Sequence, residues 1–378
     1  MKVLYITNYA DMYGANRALL TMMSLLQGEY DIEPYLLISG NLGDMGAGCE
    51  KEGIPCLGYD FRISAIDENT KWKPVRRVTR RIMRYVDFYK IYRKIKMEGL
   101  HFDLVHSNSS VFDIGLFLAK KWKVPHVWHV REFAKEGCGL EIVYGKNAMK
   151  RKYAASSMMI AISDAIAESI RHLGSKIRVR KIYDGIVLPQ PYNKEFIQDG
   201  ILKFCIVGGL SEKKNQLDVI KACERLIQQG LYAFQLYIVG DTFGNYYEEM
   251  QDYLVDKDQL RQRVVFTGYR KDVHLLLAHM DVGVMATDIE AFGLVTVEYM
   301  SNYMTVIGTN AGGTPELLGG TGRLFKPHDI EALAQAMCFY IEHPEVLEKN
   351  KEAVRKQAEL FSAEKNAEII YKCYKEVV

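Results

Sequence analysis

Paired cysteines are missing from this 378-residue chain: its seven cysteines, at 49, 56, 138, 205, 223, 338 and 373, form no CxxC. An odd, scattered set without a leader reads as reduced intracellular thiols, not as a disulfide framework or a zinc site. No HExxH and no Cys/His cluster at metal-ligand spacing is present, so no resident metal or other cofactor is expected. No apolar run reaches the roughly 18 residues of a membrane span. Met1-Lys2 leads directly into Val-Leu-Tyr-Ile without a signal-peptide pattern. No GxGxxG follows that first apolar run and no suitable acid stands about 20 residues on, which counts against a dinucleotide-dependent dehydrogenase. Fixed-period repeats and low-complexity tracts are absent as well. With 25% charged and 48% hydrophobic residues, the composition is that of a globular cytoplasmic chain, long enough for two domains.

The net charge of +2 conceals an asymmetry. Residues 1–190 hold 29 Lys+Arg against 20 Asp+Glu, and residues 191–378 hold 20 against 27. A basic half suits an anionic partner, such as a phosphorylated acceptor or an anionic membrane; nucleic acid is not an expected partner.

Short β-rich runs alternate with helical patterns. Strands are expected at Lys2–Thr7, Pro34–Ile38, Leu104–Ser107, His126–Val130, Met158–Ser163 and Lys181–Tyr183. In the second half they are expected at Lys203–Gly208, Gln235–Gly240, Val264–Gly268, Val282–Ala286, Thr305–Gly308 and Gly322–Phe325. Alternation with helices such as Gln216–Gly230 and Asp329–His343 predicts α/β domains with parallel sheets. The strands are apolar throughout, as sheets covered on both faces require. The pattern pauses at Gly185–Gly200, around Pro189, Pro191 and Gly200. The expected division is therefore 1–187, a linker at 188–200, a second domain at 201–360, and a helix at 361–378 that packs back on the first domain. Such sheets bind ligands beyond the carboxyl ends of their strands.

The most informative stretch is Glu290-Ala-Phe-Gly-Leu-Val-Thr-Val-Glu298. A carboxylate in a loop, then Gly293 opening a helix, suits an anionic, hydroxyl-rich ligand. An ordinary helix with Glu290 near its positive end and Glu298 toward solvent is the other reading. The sequel runs Tyr299-Met-Ser-Asn-Tyr-Met-Thr-Val-Ile-Gly-Thr-Asn-Ala-Gly-Gly-Thr-Pro-Glu316, then Gly320-Thr-Gly-Arg-Leu-Phe-Lys-Pro327. Together these resemble the C-terminal domain of the group 1, family 4-like retaining glycosyltransferases. In that family two glutamates flank seven residues, followed by a strand, a Gly-Gly-x-Pro-Glu turn and a Gly-x-Leu-x-x-Pro strand.

The resemblance implies the GT-B architecture, two Rossmann-like domains facing each other across a cleft. It implies a nucleotide-sugar as substrate, with Glu298 on the ribose hydroxyls. Glu290 and the amides of Phe292, Gly293 and Leu294 would hold the donor sugar and diphosphate. In Gly208-Gly-Leu-Ser-Glu-Lys-Lys-Asn215, Lys214 matches the family's phosphate lysine, while Gly209 stands where an arginine is usual. Gly268 and Tyr269 match a segment beside the base. In the first half the likeness implies Gly14, in Tyr13-Gly-Ala-Asn-Arg17, near the diphosphate, and His129, in Val127-Trp-His-Val-Arg-Glu132, near the transferred sugar. Asn16, Arg17 and Arg131 are acceptor candidates; ordinary ion pairs explain the two arginines equally well.

Lys71–Lys96 holds eleven Lys/Arg and one acid, Asp87. Val75, Val78, Ile82, Val86 and Tyr89 keep helical spacing, and Arg77, Arg80, Arg81 and Arg84 repeat on another side. Two readings stand: a helix lying on anionic lipid with Trp72 at the interface, or a solvated helix whose apolar side packs on the domain. The expected function is transfer of a sugar to a lipid-linked or saccharide acceptor in surface-polysaccharide or glycolipid assembly, peripheral to the inner face of a membrane. A sugar-nucleotide epimerase of the same architecture and a non-catalytic nucleotide-sugar-binding protein are the alternatives.

Overall fold

The apolar runs become strands of two wholly parallel sheets. The computed structural model describes residues 1–197, 199–242 and 244–378. They form two units, Met1–Val187 with Ser362–Val378, and Leu188–Phe361.

In the first unit the strands are β1 (Lys2–Thr7), β2 (Glu33–Ile38), β3 (Cys56–Gly58), β4 (Ala65–Asp67), β5 (Leu104–Ser107), β6 (His126–Val130), β7 (Leu140–Ile142), β8 (Met158–Ala161) and β9 (Val179–Lys181). Seven of them build a sheet in the order β3-β2-β1-β5-β6-β8-β9, while β4 and β7 form a small antiparallel pair. The expected strand Lys181–Tyr183 thus begins earlier, at Val179. Strands β3, β4 and β7 have three residues each, too short to show an apolar period. Alternate residues of β1 serve opposite faces. Val3 and Tyr5 join a core with Leu19, Met22, Ile370 and Tyr374, and Leu4 and Ile6 join one with Phe88, Ile91 and Ile114. Both faces are buried, so the strand reads as a continuous apolar run.

The helix Ala363–Val377 covers the first of these faces. Its cap Ser362 accepts from the Lys365 amide at 3.3 Å, and Asn366 donates to the Tyr183 carbonyl at 2.6 Å. Gly185 lies under its start: a Cβ there would stand 2.6 Å from the Ala363 Cα. Ala367, Ile370, Cys373 and Tyr374 are fully buried, and each large apolar side chain so buried contributes about 1.5–3 kcal/mol.

The second unit contains β10 (Leu202–Val207), β11 (Phe234–Val239), β12 (Val264–Gly268), β13 (Val282–Met285), β14 (Thr305–Thr309) and β15 (Arg323–Phe325), in the order β12-β11-β10-β13-β14-β15. The expected linker, 188–200, includes Gln198, which lies outside the described residues. It is no free tether. Lys194 within it is buried, and its ammonium donates to the carbonyls of Leu277, Ala278 and Met280.

The basic segment forms the helix Lys73–Met97, and its orientation overturns the reading in which the apolar side packs on the domain. Its inward stripe is Arg77, Arg81, Arg84, Phe88, Ile91 and Ile95. Arg77 pairs with Glu141 at 2.6 Å, Arg81 Nε donates to the Val143 carbonyl at 2.7 Å, and Arg84 is fully buried against Asp113. Asp113 also accepts from Tyr144 and Lys152. Arg77, Arg81 and Arg84 are therefore structural, and Arg84 is removed from any membrane surface. The apolar second half of this stripe, Phe88, Ile91 and Ile95, sets the phase, and the arginines follow it into a pocket that offers carboxylates and a carbonyl. The Val75, Val78, Ile82, Val86 and Tyr89 side lies exposed instead, with Trp72, in a left-handed conformation, at its start.

Candidate functional site

In the second unit the strand order reverses between β10 and β13, which opens a crevice beyond their carboxyl ends. Two loops line it. After β10, Gly208–Asn215 makes a single 3-10 turn, and left-handed Asn215 starts the helix Gln216–Gln228. After β13, the chain reaches Gly293, also left-handed, which caps the helix Leu294–Ser301.

Side chains join the two loops. Asn215 donates to the Ala286 carbonyl at 2.9 Å and to Asp288 at 2.5 Å, and Lys214 Nζ lies 2.8 Å from Glu290 Oε2. The half-exposed Lys214–Glu290 pair brings together the residues that the sequence points to for diphosphate and sugar. The Gly-Gly turn explains how Glu290 is held. The Gly313 amide donates to the Glu290 carbonyl at 2.7 Å, and a Cβ on Gly312 would come within 2.1 Å of that oxygen.

The helix Leu294–Ser301 has no side-chain cap; of its first-turn amides, that of Thr296 donates to the Gly293 carbonyl at 2.9 Å. Helix N-termini of this kind attract anions. Phe292 is buried, Leu294 half-buried, and Glu298 half-buried one turn into the helix. The next residue, Tyr299, locks this helix in place: its hydroxyl accepts from the Val207 amide at 2.7 Å, at the end of β10. Only glycine at 283 allows this, since a Cβ there would meet the Tyr299 ring at 2.3 Å.

Three strand ends meet through glycines. A Cβ on Gly240 would stand 2.2 Å from the Gly208 carbonyl, and the Gly240 amide donates to the Gly268 carbonyl at 3.2 Å. Gly240 was not marked in the sequence, though its place at the end of an apolar run is a signal. Tyr269 is 69% exposed beside them. Gly209 is exposed, with open space where a Cβ would point. The one D-x-D triplet, Asp256-Lys257-Asp258, runs into a four-residue helix that Asp258 opens, with Lys257 on Glu224 and Asp258 near Arg261. Among the described residues no group of three or more His, Cys, Asp or Glu is arranged to hold a metal.

In the first unit the order reverses between β1 and β5. Gly14 opens the helix Gly14–Glu29 after β1, and Arg17 is exposed on its first turn. Asn16 is corrected from acceptor candidate to scaffold. It is fully buried, accepting from Thr7 at 2.8 Å and donating to the carbonyls of Tyr9 and Asp11. Arg131 also turns inward, toward Asn108 at 2.6 Å and into an ion pair with Asp184, so the ordinary ion pair is the reading that applies.

His129, on β6, is fully buried, and its Nε2 has no hydrogen-bond partner. Its Nδ1 lies 3.3 Å from His106 Nε2 and 3.4 Å from Arg131. Burial, and next the charge of Arg131, hold both imidazoles well below the usual range. Burial raises the Asp184 carboxyl, with Arg131 opposing. Glu132 Oε1 collects Ser109 Oγ at 2.8 Å and the Ser110 amide and hydroxyl at 2.6 Å each; burial raises its carboxyl too. His106 and Asp184 went unmarked in the sequence. A histidine inside an apolar strand and an Asp-Gly just past the last strand of the unit were the available signals.

Two family models match the chain. One described as Glycosyl transferases group 1 covers residues 202–343, and one described as Glycosyltransferase Family 4 covers residues 60–188. The chain is 24% identical over 339 residues to the UDP-Gal:alpha-D-GlcNAc-diphosphoundecaprenol alpha-1,3-galactosyltransferase of Escherichia coli, covering 84% of this chain and 85% of that protein. It is 29% identical to the N-acetyl-alpha-D-glucosaminyl L-malate synthase of Bacillus anthracis over 162 residues, 42% of this chain and 41% of that one. The crystal structure of Anabaena Alr3699/HepE in complex with UDP is similar along the whole of both chains, with a TM-score of 0.79 and 20% identity.

Proposed function

Because this chain belongs to the group 1, family 4-like glycosyltransferases of the GT-B fold, we propose that it transfers a sugar from a nucleotide-sugar to an acceptor hydroxyl with retention of configuration and without a metal ion. The observation that carries this reading is the Lys214–Glu290 pair at the mouth of the second-unit crevice, beside an uncapped helix start. A cation and helix-start amides are what a leaving diphosphate needs, since preorganised donors stabilise charge as it develops. In the displacement we propose, the bond from the anomeric carbon to the phosphate oxygen breaks. The acceptor oxygen bonds to that carbon on the same face, and its proton passes to the departing phosphate oxygen. Lys214 and the amides of Phe292, Gly293 and Leu294 balance the diphosphate charge, Glu290 orients the sugar and Glu298 the ribose. His129 is a second sugar-positioning residue.

We further propose a lipid-linked acceptor and docking on the inner face of an anionic membrane. The E. coli relative's name carries a diphosphoundecaprenol acceptor. The exposed Trp72, Val75, Val78, Ile82, Val86 and Tyr89 are flanked by exposed Arg76, Lys90 and Arg93, the pattern of an interfacial helix. The likeness to a malate synthase favours a soluble acceptor as the second reading.

Thermal shift with a panel of nucleotide-sugars identifies the donor. Product analysis with lipid-linked and soluble acceptors then reads the linkage by NMR, with and without a strong chelator. An inverted anomeric centre, or activity lost to the chelator and restored only by a divalent ion, overturns the corresponding part.

A further inference from the structure

Two residues in the left-handed conformation converge on one carboxylate beside the second-unit crevice. Asn215, with φ of 54°, donates to Asp288 Oδ1 at 2.5 Å. His328, with φ of 62°, places its Nε2 2.9 Å from the same oxygen. The other ring nitrogen, Nδ1, lies 3.0 Å from Asp218 Oδ2, in the first turn of the helix Gln216–Gln228. His328 itself stands in the turn between β15 and the helix Ile330–Glu342. One ring therefore joins that turn, the loop after β13 and the helix that follows Lys214.

A left-handed backbone is costly for a residue with a Cβ and persists where surrounding contacts hold it. At His328 those contacts are the ring's own. Ionised carboxylates only accept, so both are hydrogen bonds only when both ring nitrogens carry hydrogen. The ring is then an imidazolium between two anions. Arg225, Lys326, Asp329 and Glu331 share a surface pocket with it, and Lys221 lies 3.7 Å from the other Asp218 oxygen. Asp329 caps the Ala332 amide at 2.9 Å, and Arg225 stands 3.9 Å from Glu331. Asp288 lies two residues before Glu290, and its amide donates to the Lys213 carbonyl at 3.2 Å, next to Lys214. The bridge thus acts on the two backbone segments that carry the Lys214–Glu290 pair.

We propose that His328 is a positioning residue, whose ring braces residues 288–290 against the start of the helix Gln216–Gln228 and so holds Lys214 and Glu290 in place before a donor arrives. This rests on the reading of that pair as the diphosphate and sugar contacts. A donor that meets a loose loop must order it, and that cost comes off its affinity.

The test compares wild type with His328→Gly and His328→Asn in the full chain. Both replacements suit the left-handed backbone, so neither should lower the urea midpoint. Hydrogen exchange of the amides of residues 286–293 should nevertheless quicken in both variants. UDP, GDP and ADP are titrated into wild type by calorimetry, and the tightest is carried to the variants. Each variant should bind it about three- to tenfold more weakly, the worth of one or two partly exposed ion pairs. Raising the pH strips the ring of its second hydrogen, so the wild-type advantage should shrink between about pH 6 and pH 8.5. Unchanged exchange overturns the proposal, and so does an unchanged affinity or a wild-type advantage that pH leaves constant. If exchange quickens but none of the three nucleotides binds to wild type, the brace stands and the reading of the crevice as a donor site falls.

Discussion

Lys214 Nζ and Glu290 Oε2 meet at 2.8 Å, joining the loops that follow β10 and β13. An entering diphosphate competes with Glu290 for the lysine. Lys214→Ala and Glu298→Ala should each weaken nucleoside diphosphate binding by about 1.5–3 kcal/mol, the worth of a hydrogen bond to a charged group. Glu290→Ala should chiefly lower kcat. Because the two side chains touch, the Lys214/Glu290 double variant should depart from additivity. Calorimetric titration of folded variants checks this; unchanged affinity in both Lys214→Ala and Glu298→Ala puts the donor elsewhere.

Gly209 has open space around the place of a Cβ and a backbone with negative φ. Gly209→Arg should therefore fold normally and add a cation beside Lys214. We expect nucleoside diphosphate to bind several-fold more tightly, with the gain shrinking as salt rises. Titrations at low and high ionic strength decide it, and an unchanged affinity means that the loop does not face phosphate.

On the basic helix, stability and surface charge separate by face. Arg84→Ala removes one of the two cations on buried Asp113 and leaves Lys152, which costs about 1.5–3 kcal/mol; urea unfolding measures it. Charge reversal at exposed Arg76, Lys90 and Arg93 should leave the unfolding midpoint nearly unchanged and abolish co-sedimentation with anionic vesicles, since each basic residue near such a surface contributes about 1 kcal/mol. Wild-type protein that ignores anionic vesicles at low salt ends the membrane proposal and leaves the transferase reading untouched.

Acid should destabilise the first unit well above the carboxylate range. His126 is held between Ser107 and Ser156 at 2.9 and 3.0 Å, and burial pushes its imidazole down to about 3 from the usual 6.5. Below about pH 6.5 the unfolded chain takes up a proton that the folded ring refuses. The stability this contributes is complete above 6.5 and is lost as pH falls toward 3, at up to about 1.4 kcal/mol per pH unit. The urea midpoint should drop between about pH 7.5 and pH 5.5, and His126→Gln should flatten that drop. Equal slopes in the two proteins rule out His126 as the source.

How much the sequence disclosed follows from what each signal encodes. The long strands were legible because burial on both faces makes them uniformly apolar, and the Glu290–Glu298 motif because its spacing is set by one loop and one helix turn. Strands of three residues carry no period. The Lys73–Met97 helix misled because it bears two stripes of equal spacing. Only its contacts with Glu141, Asp113 and the second-half core decide which one turns inward. Asn16 and Arg131 failed as acceptor candidates for a related reason: their residue type suits substrate and scaffold alike, and the partners Thr7 and Asp184 come from other segments of the chain. His106 and Tyr374, whose side chains meet at 2.7 Å, are 268 residues apart, beyond the reach of any local pattern.

The helix Ala363–Val377 belongs to the unit that the chain begins, while the second unit is one uninterrupted stretch. During synthesis the order of completion is therefore the reverse of the order of starting. The second unit can close as it leaves the ribosome, whereas the face carrying Leu19, Met22 and Met23 stays open until the last helix has emerged. Exposed apolar surface in an unfinished domain is what aggregates and what chaperones bind. A ribosome stalled anywhere before residue 363 thus releases a chain in which one face of the first sheet lacks part of its cover.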